Sequence, residues 1–161
     1  RENVEANGLE NRVRVICGDL REHRKLFKAG EYDLVVSNPP YFPVGRGGVS
    51  PVEERDLARS ESMCSLSDLC RAAAYLCRFG GSFALVHRPE RLSEIFCAMT
   101  KAGIEPKRLR LVSARAQSPP SFALIEGRRG GKPGLAIEPL LVMHDEEGNF
   151  TQEMKRIYHL C

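Results

Sequence analysis

Asn38-Pro39-Pro40-Tyr41 is the stretch of this chain whose residue types and spacing could do chemistry. It follows directly on the apolar run Tyr32-Asp33-Leu34-Val35-Val36-Ser37, which reads as a buried strand. Such an ending leaves one carboxamide, one fixed main chain and one flat ring at a strand tip, where open α/β sheets bind ligands. The side-chain oxygen of Asn38 can accept a hydrogen bond from a planar amino group, such as the exocyclic nitrogen of adenine. The carbonyl of Pro39 can accept a second. Pro39 and Pro40 hold φ and contribute no N–H, so the turn presents acceptors without a competing donor. Tyr41 offers a face for stacking a base, an interaction worth about 1–3 kcal/mol. The competing description is a proline-rich turn in which Asn38 satisfies its own backbone. A position straight after a strand favours the site.

The elements that must hold this turn can be read along the chain. Arg1–Asn7 looks like the end of a helix stopped at Asn7-Gly8, with glycine at the usual C′ position. Arg12–Cys17 reads as a short strand leading into Gly18-Asp19-Leu20, and a helical or irregular piece runs to Gly30 before the strand Tyr32–Ser37. A Gly- and Pro-rich loop and the charged stretch Glu53–Glu61 follow, and a long loop leaving a strand tip is commonly functional. Ser65 and Asp68 form a capping pair for a helix with Leu66, Leu69, Cys70, Ala73, Leu76 and Cys77 on one face, expected to end at Gly80-Gly81. Ser82–His87 reads as a buried strand, and Pro89 opens a helix closed by Gly103. Arg108–Ala114, Phe122–Glu126 and Leu140–His144 read as strands, with a turn at Gly148-Asn149 and a short strand or helix after it. Alternating β and α units with apolar strands predict a parallel-rich α/β sheet with a hairpin-like end.

Length and composition bound the function. The chain has 161 residues, 28% of them charged and 42% hydrophobic, as in one ordinary globular domain or part of one. No apolar run approaches the roughly 20 residues that cross a bilayer. The six cysteines include no C-x-x-C pair and no histidine at zinc spacing, so no metal site is expected. Cys70 and Cys77 read as small core residues, and a reducing cytoplasmic setting fits best. The net charge is only +3. Between Lys107 and Lys132, however, Lys107, Arg108, Arg110, Arg115, Arg128, Arg129 and Lys132 face Glu126 alone. This stretch is either a solvated basic surface or a phosphate-contacting face.

With these residues placed, the chain resembles a class I S-adenosylmethionine-dependent methyltransferase. More narrowly, it resembles the bacterial family that N6-methylates an adenosine beside the anticodon of a valine tRNA. The likeness spans the chain through Arg1–Leu9, Gly18-Asp19-Leu20, Asp33–Phe42, Ala58-Arg59-Ser60-Glu61, Val86–Leu92 and Pro106–Arg110. It implies a Rossmann-like sheet, mostly parallel, with antiparallel C-terminal strands. S-adenosyl-L-methionine is the implied cofactor and tRNA the implied partner. Asp19 would contact the adenine of the donor, Leu20 would pack on it, and Asn38 would border it. Asn38, Pro39, Pro40 and Tyr41 would hold the target adenine for methyl transfer. Tyr41, Phe42, Arg59, His87, Arg88 and Arg115 are the implied substrate contacts. For His87 and Arg88, capping of the next helix is an equal alternative.

The resemblance also exposes an absence. The family carries a glycine-rich turn after its first strand and an acidic residue after its second, and neither is found here. Two strands expected in the middle of the sheet, between Arg12–Cys17 and Tyr32–Ser37, are therefore missing. The expectation is that residues 1–161 form the C-terminal part of a single methyltransferase domain, binding donor poorly and not folding normally alone. Two other functions compete. A protein glutamine N5-methyltransferase would use the same two acceptors on a side-chain amide, but the basic 107–132 stretch and the lack of that family's glutamate and glycine pattern oppose it. A non-catalytic RNA-binding fragment would keep the basic face without a donor site.

Overall fold

The computed structural model describes residues 1–39 and 64–160. The best-specified helix is α3 (Leu66–Leu76), after the short helices α1 (Glu2–Ala6) and α2 (His23–Leu26). Its capping box is complete. The Ser65 hydroxyl accepts the Asp68 amide at 3.2 Å, and the Asp68 carboxylate accepts the Ser65 amide at 3.0 Å. The helix stops at Leu76, four residues before the expected Gly80-Gly81, because Cys77 already has extended dihedrals and begins strand β2 (Cys77–His87). The glycines instead sit where the register slips between β2 and strand β1 (Tyr32–Ser37), with Gly80 at φ 76°. Pro89 starts a single 3₁₀ turn that runs into α4 (Leu92–Lys101), and Gly103 turns the chain at φ 79° into β3 (Ile104–Ser113). Strand β4 (Phe122–Arg129), the two-residue strands β5 (Ala136–Ile137) and β6 (Leu141–Val142), and helix α5 (Gln152–Ile157) complete the order.

The sheet runs β1-β2-β4-β3-β5, with β6 also beside β3. β1 lies parallel to β2, while β4 is antiparallel to both β2 and β3, and β5 and β6 run parallel to β3. One face is covered. Cys70 and Ala73 of α3 and Ile95 and Met99 of α4 close over Phe83, Leu85, Ile104 and Ile125. Helix α4 lies so close to β4 that a Cβ on Gly127 would come within 2.3 Å of the Met99 methyl. Burial pushes the Cys70 thiol up to about 12, in keeping with the core role expected for it. Cys77 is equally buried, on a strand rather than on the helix face first assigned.

Two expectations need correction. Arg12–Cys17 forms no strand: Arg12 lies in a turn and residues 13–17 carry no regular structure, with no ladder partner among the described residues, and a strand without a partner is not a stable element. β1 has the predicted bounds yet is not buried, with Leu34 55% and Val36 70% exposed. It is the outer strand of the sheet. Only Val35 and Ser37 face the helices; Leu34 and Val36 look the other way. Among the described residues that opposite face is covered toward β6, where α5 sets Met154 against Val112 and Leu141. Elsewhere it carries a groove of about 410 Å³ lined by Val36, Ala84, Val86, Leu124, Arg108 and Glu126.

Candidate active site

The register collects the chemistry at one end of the sheet. Ser37 pairs with Leu85, His87 with Ala123, and Val112 with Phe122, so the ends of β1, β2 and β3 and the start of β4 lie together. There Pro39 joins Ser37, Leu20, Leu66, Leu69 and Arg91 around a cavity of about 260 Å³. Each wall has a local cause. Asp19 caps the 3₁₀ turn Leu20–Glu22 by accepting the Arg21 amide at 2.9 Å, and that turn sends Leu20 against the core. The capping box directs the first turn of α3, with Leu66 and Leu69, into the same space. Arg91 is held by Glu94 at 2.7 Å with its side chain only 11% exposed, and the guanidinium keeps the Glu94 carboxyl below its ordinary range.

Asp19 stands beside this cavity with both oxygens engaged. Its Oδ2 accepts Arg21 Nη2 at 2.5 Å and its Oδ1 accepts Arg21 Nε at 3.0 Å. These bonds hold the carboxyl at about 2, well below its usual value of 3.8. Behind it the Cys64 thiol is pushed up, chiefly by burial and then by Asp68 and Asp19.

The structure brings Leu20 and Pro39 into one wall and leaves Asn38 exposed next to them. Arg88 lies at the same end of the sheet, its guanidinium 5.9 Å from the Phe122 ring centroid and 3.9 Å from Glu90. Arg115 is exposed in the connection from β3 to β4 and lines none of these walls. Of the other proposed contacts, Pro40, Tyr41, Phe42 and Arg59 lie outside the described residues. His87 is corrected: it is fully buried, and its Nδ1 accepts the Arg88 amide at 2.8 Å, so it holds the turn after β2 and does not face a ligand. Leu66, Leu69 and Arg91 were given no site role from the sequence. The signal was the helix starts at Ser65 and Pro89, which orient first turns toward the strand tips.

Two cations of the basic 107–132 stretch, Arg108 and Arg110, are matched by carboxylates. Arg108 pairs with Glu126 at 2.8 Å and Glu138 at 2.7 Å, and Arg110 pairs with Glu153 at 2.6 Å. Lys107 donates to the Lys132 carbonyl. Glu138 and Glu153 lie beyond the sequence window and reach it through the sheet and α5.

An adenine-sized ring fits this arrangement better than a whole nucleoside cofactor does. Leu20, Leu66 and Leu69 give an apolar wall, while Asp19, the neighbour of Leu20 in the chain, is engaged by Arg21. The volume is below the roughly 300–1,000 Å³ usual for cofactor sites. Among the described residues, no three His, Cys, Asp or Glu side chains converge on a metal-ligand arrangement, and no helix is long and apolar enough to cross a membrane.

No protein-family model matches the chain. It is 31% identical over 153 residues to the tRNA1(Val) (adenine(37)-N6)-methyltransferase of Tolumonas auensis, covering 94% of this chain and 61% of that protein. The chain is a homologue of that enzyme. Proteins of the same name from Parabacteroides distasonis (34% over 125 residues, 78% of this chain and 52% of the relative) and Aeromonas salmonicida (37% over 97 residues, 60% and 39%) are similar to it as well. The chain thus spans at most about three fifths of the length of these relatives.

Among solved structures, a predicted O-methyltransferase from Agrobacterium tumefaciens superposes with TM-score 0.65 at 19% identity, over 89% of this chain and 58% of that one. A putative DNA modification methylase from Thermus thermophilus, complexed with S-adenosyl-L-methionine, gives TM-score 0.50 at 19% identity, over 86% and 56%. These likenesses bear out the Rossmann-like methyltransferase fold expected from the sequence.

Proposed function

We propose that this protein transfers a methyl group from S-adenosyl-L-methionine to the N6 nitrogen of an adenosine in tRNA. The observation that carries this reading is the homology across 94% of the chain to an enzyme named for that reaction. The exposed Asn38 beside Pro39, at the tip of β1, supports it chemically.

When bound, the donor supplies an electrophilic methyl group on a sulfonium. Asn38 and Pro39 do the rest by position. The N6 lone pair of adenine is delocalised into the ring, which makes it a poor nucleophile. The Asn38 side-chain oxygen and the Pro39 carbonyl accept its two hydrogens and draw them from the ring plane, returning density to nitrogen. Holding that nitrogen in line with the methyl group supplies much of the acceleration. One N6 proton leaves to solvent after transfer, so no side-chain base is required. Asp19, Leu20 and Asn38 border the donor, and Tyr41, Phe42, Arg59, Arg88 and Arg115 contact the RNA, where a loop base can be splayed out.

We further read the chain as the C-terminal part of one methyltransferase domain in a cytoplasmic protein. The support is the outer edge and apolar face of β1, uncovered among the described residues, which a mostly parallel sheet normally covers.

The test is methyl transfer by the full-length protein to tRNA and, in parallel, to a release-factor glutamine. Label in the RNA alone supports the reading. Label in the protein alone overturns it.

A further inference from the structure

Beside α3 lies a cluster of basic side chains drawn from several parts of the chain, Arg129 of the 107–132 stretch among them. Arg21, Arg24, Arg71, Lys101 and Arg129 line a cleft of about 570 Å³ together with a single carboxylate, Asp68. The cleft borders the candidate active site. Arg21 binds Asp19 at its upper end, and Asp68 shares the first turn of α3 with Leu66 and Leu69. From there it follows α3 down to Tyr75, a run of seven residues or about 10 Å of helix, and opens toward Lys101 and Arg129.

The side chains are arranged to keep their charge. Arg24 lies over the Tyr75 ring at 5.0 Å, which fixes its direction without cancelling it. Among the described residues, neither Arg24 nor Lys101 is paired with a carboxylate, and both are exposed. Arg71 shares Asp68 with the α3 cap, and Arg129 donates to the Cys77 carbonyl, a neutral partner that leaves its charge in place. Asp19 and Asp68 balance Arg21 and Arg71, and the remaining charges of Arg24, Lys101 and Arg129 would repel one another on a surface with no partner. A linear polyanion leaving the active site would satisfy them in sequence.

We propose that this cleft holds the phosphate backbone of the RNA strand that carries the target base. The inference rests on the function proposed above and deepens it. It moves the principal backbone contact from β3 and β4 to the surface between α2, α3 and α4. Arg21 then has two duties, holding Asp19 and meeting the phosphate nearest the reacting nucleotide.

The test is tRNA affinity of the full-length protein as a function of salt. Replacing Arg24→Gln and Lys101→Gln together removes two contacts. The expected result is a loss of affinity of about tenfold at 0.1 M salt and a salt slope shallower by about 1.4, from roughly 0.7 per single-strand contact. Donor affinity should be unchanged, which reports an intact site. A control pair already matched by carboxylates, Arg108→Gln with Arg110→Gln, should bind tRNA as the unaltered protein does. Unchanged tRNA affinity and slope in the cleft pair, with the unaltered protein binding tRNA, overturns the cleft alone. An unaltered protein that binds no tRNA overturns the proposed function as well.

Discussion

The guanidinium of Arg21 grips the carboxylate of Asp19 two residues before it, with 2.5 Å between Nη2 and Oδ2, at the junction of the candidate active site and the basic cleft. In the proposed function this one ion pair would tie donor recognition to RNA recognition. Because the folded Asp19 carboxyl lies at about 2 and its ordinary value is 3.8, its contribution is present above about pH 4 and is lost as pH falls toward 2. In Arg21→Gln the carboxyl should rise clearly from about 2 toward 3.8, the bond from the residue 21 amide remaining, as followed by carbon-detected NMR of the carboxyl. A carboxyl that still titrates near 2 would show that Arg21 is not the cause.

Ser65 fixes the start of α3, and α3 supplies two walls of the cavity. Ser65→Ala removes the acceptor for the Asp68 amide, and loss of an N-cap costs about 1 kcal/mol. Urea unfolding should show that loss, together with a rise of the Asp68 carboxyl, whose lowering comes first from Ser65. Ser65→Asn should retain most of the stability.

Gly127 is a packing position. A methyl group there would meet the Met99 methyl at 2.3 Å, Ile104 Cγ2 at 2.7 Å and the Glu105 carbonyl at 3.0 Å. Gly127→Ala should therefore destabilise by about 1–3 kcal/mol through overpacking. Combining it with Met99→Ala should recover part of that loss, and thermal melts of the single and double variants measure both.

Val36 distinguishes a free sheet face from a covered one. It is 70% exposed in residues 1–161, so Val36→Ser in that chain should shift stability by less than about 0.5 kcal/mol. In the full-length protein the same change should cost about 1–3 kcal/mol if further chain buries that face. Equal small effects in both proteins would contradict the proposal that this is part of a larger domain.

The sequence made legible those elements whose signals are local. The Ser65–Asp68 box, Pro89, Gly103 and the bounds of Tyr32–Ser37 all follow from residues within a turn of the feature they mark. What depended on distant partners was read less well. Arg12–Cys17 has strand composition but lacks a neighbour, and α3 gives way at Cys77 because β1 claims the next residues for a ladder. Arg108 looked unbalanced because Glu138 lies 30 residues from it in sequence, while the cations of the cleft come from four separate segments. His87 was implied as a substrate contact or a cap of the next helix, and pairing with Ala123 in β4 sets it inside the sheet.

The central claim is that Asn38 presents an adenine amino group for methylation. The most direct measurement is nucleoside mass spectrometry of tRNA after incubation with S-adenosyl-L-methionine and the full-length protein, unaltered or carrying Asn38→Ala. The account predicts N6-methyladenosine with the unaltered protein and at least a hundredfold slower formation in the variant (on the order of the contribution of one positioned polar group), with donor affinity within about threefold. Equal rates of N6-methyladenosine formation by both proteins would contradict it.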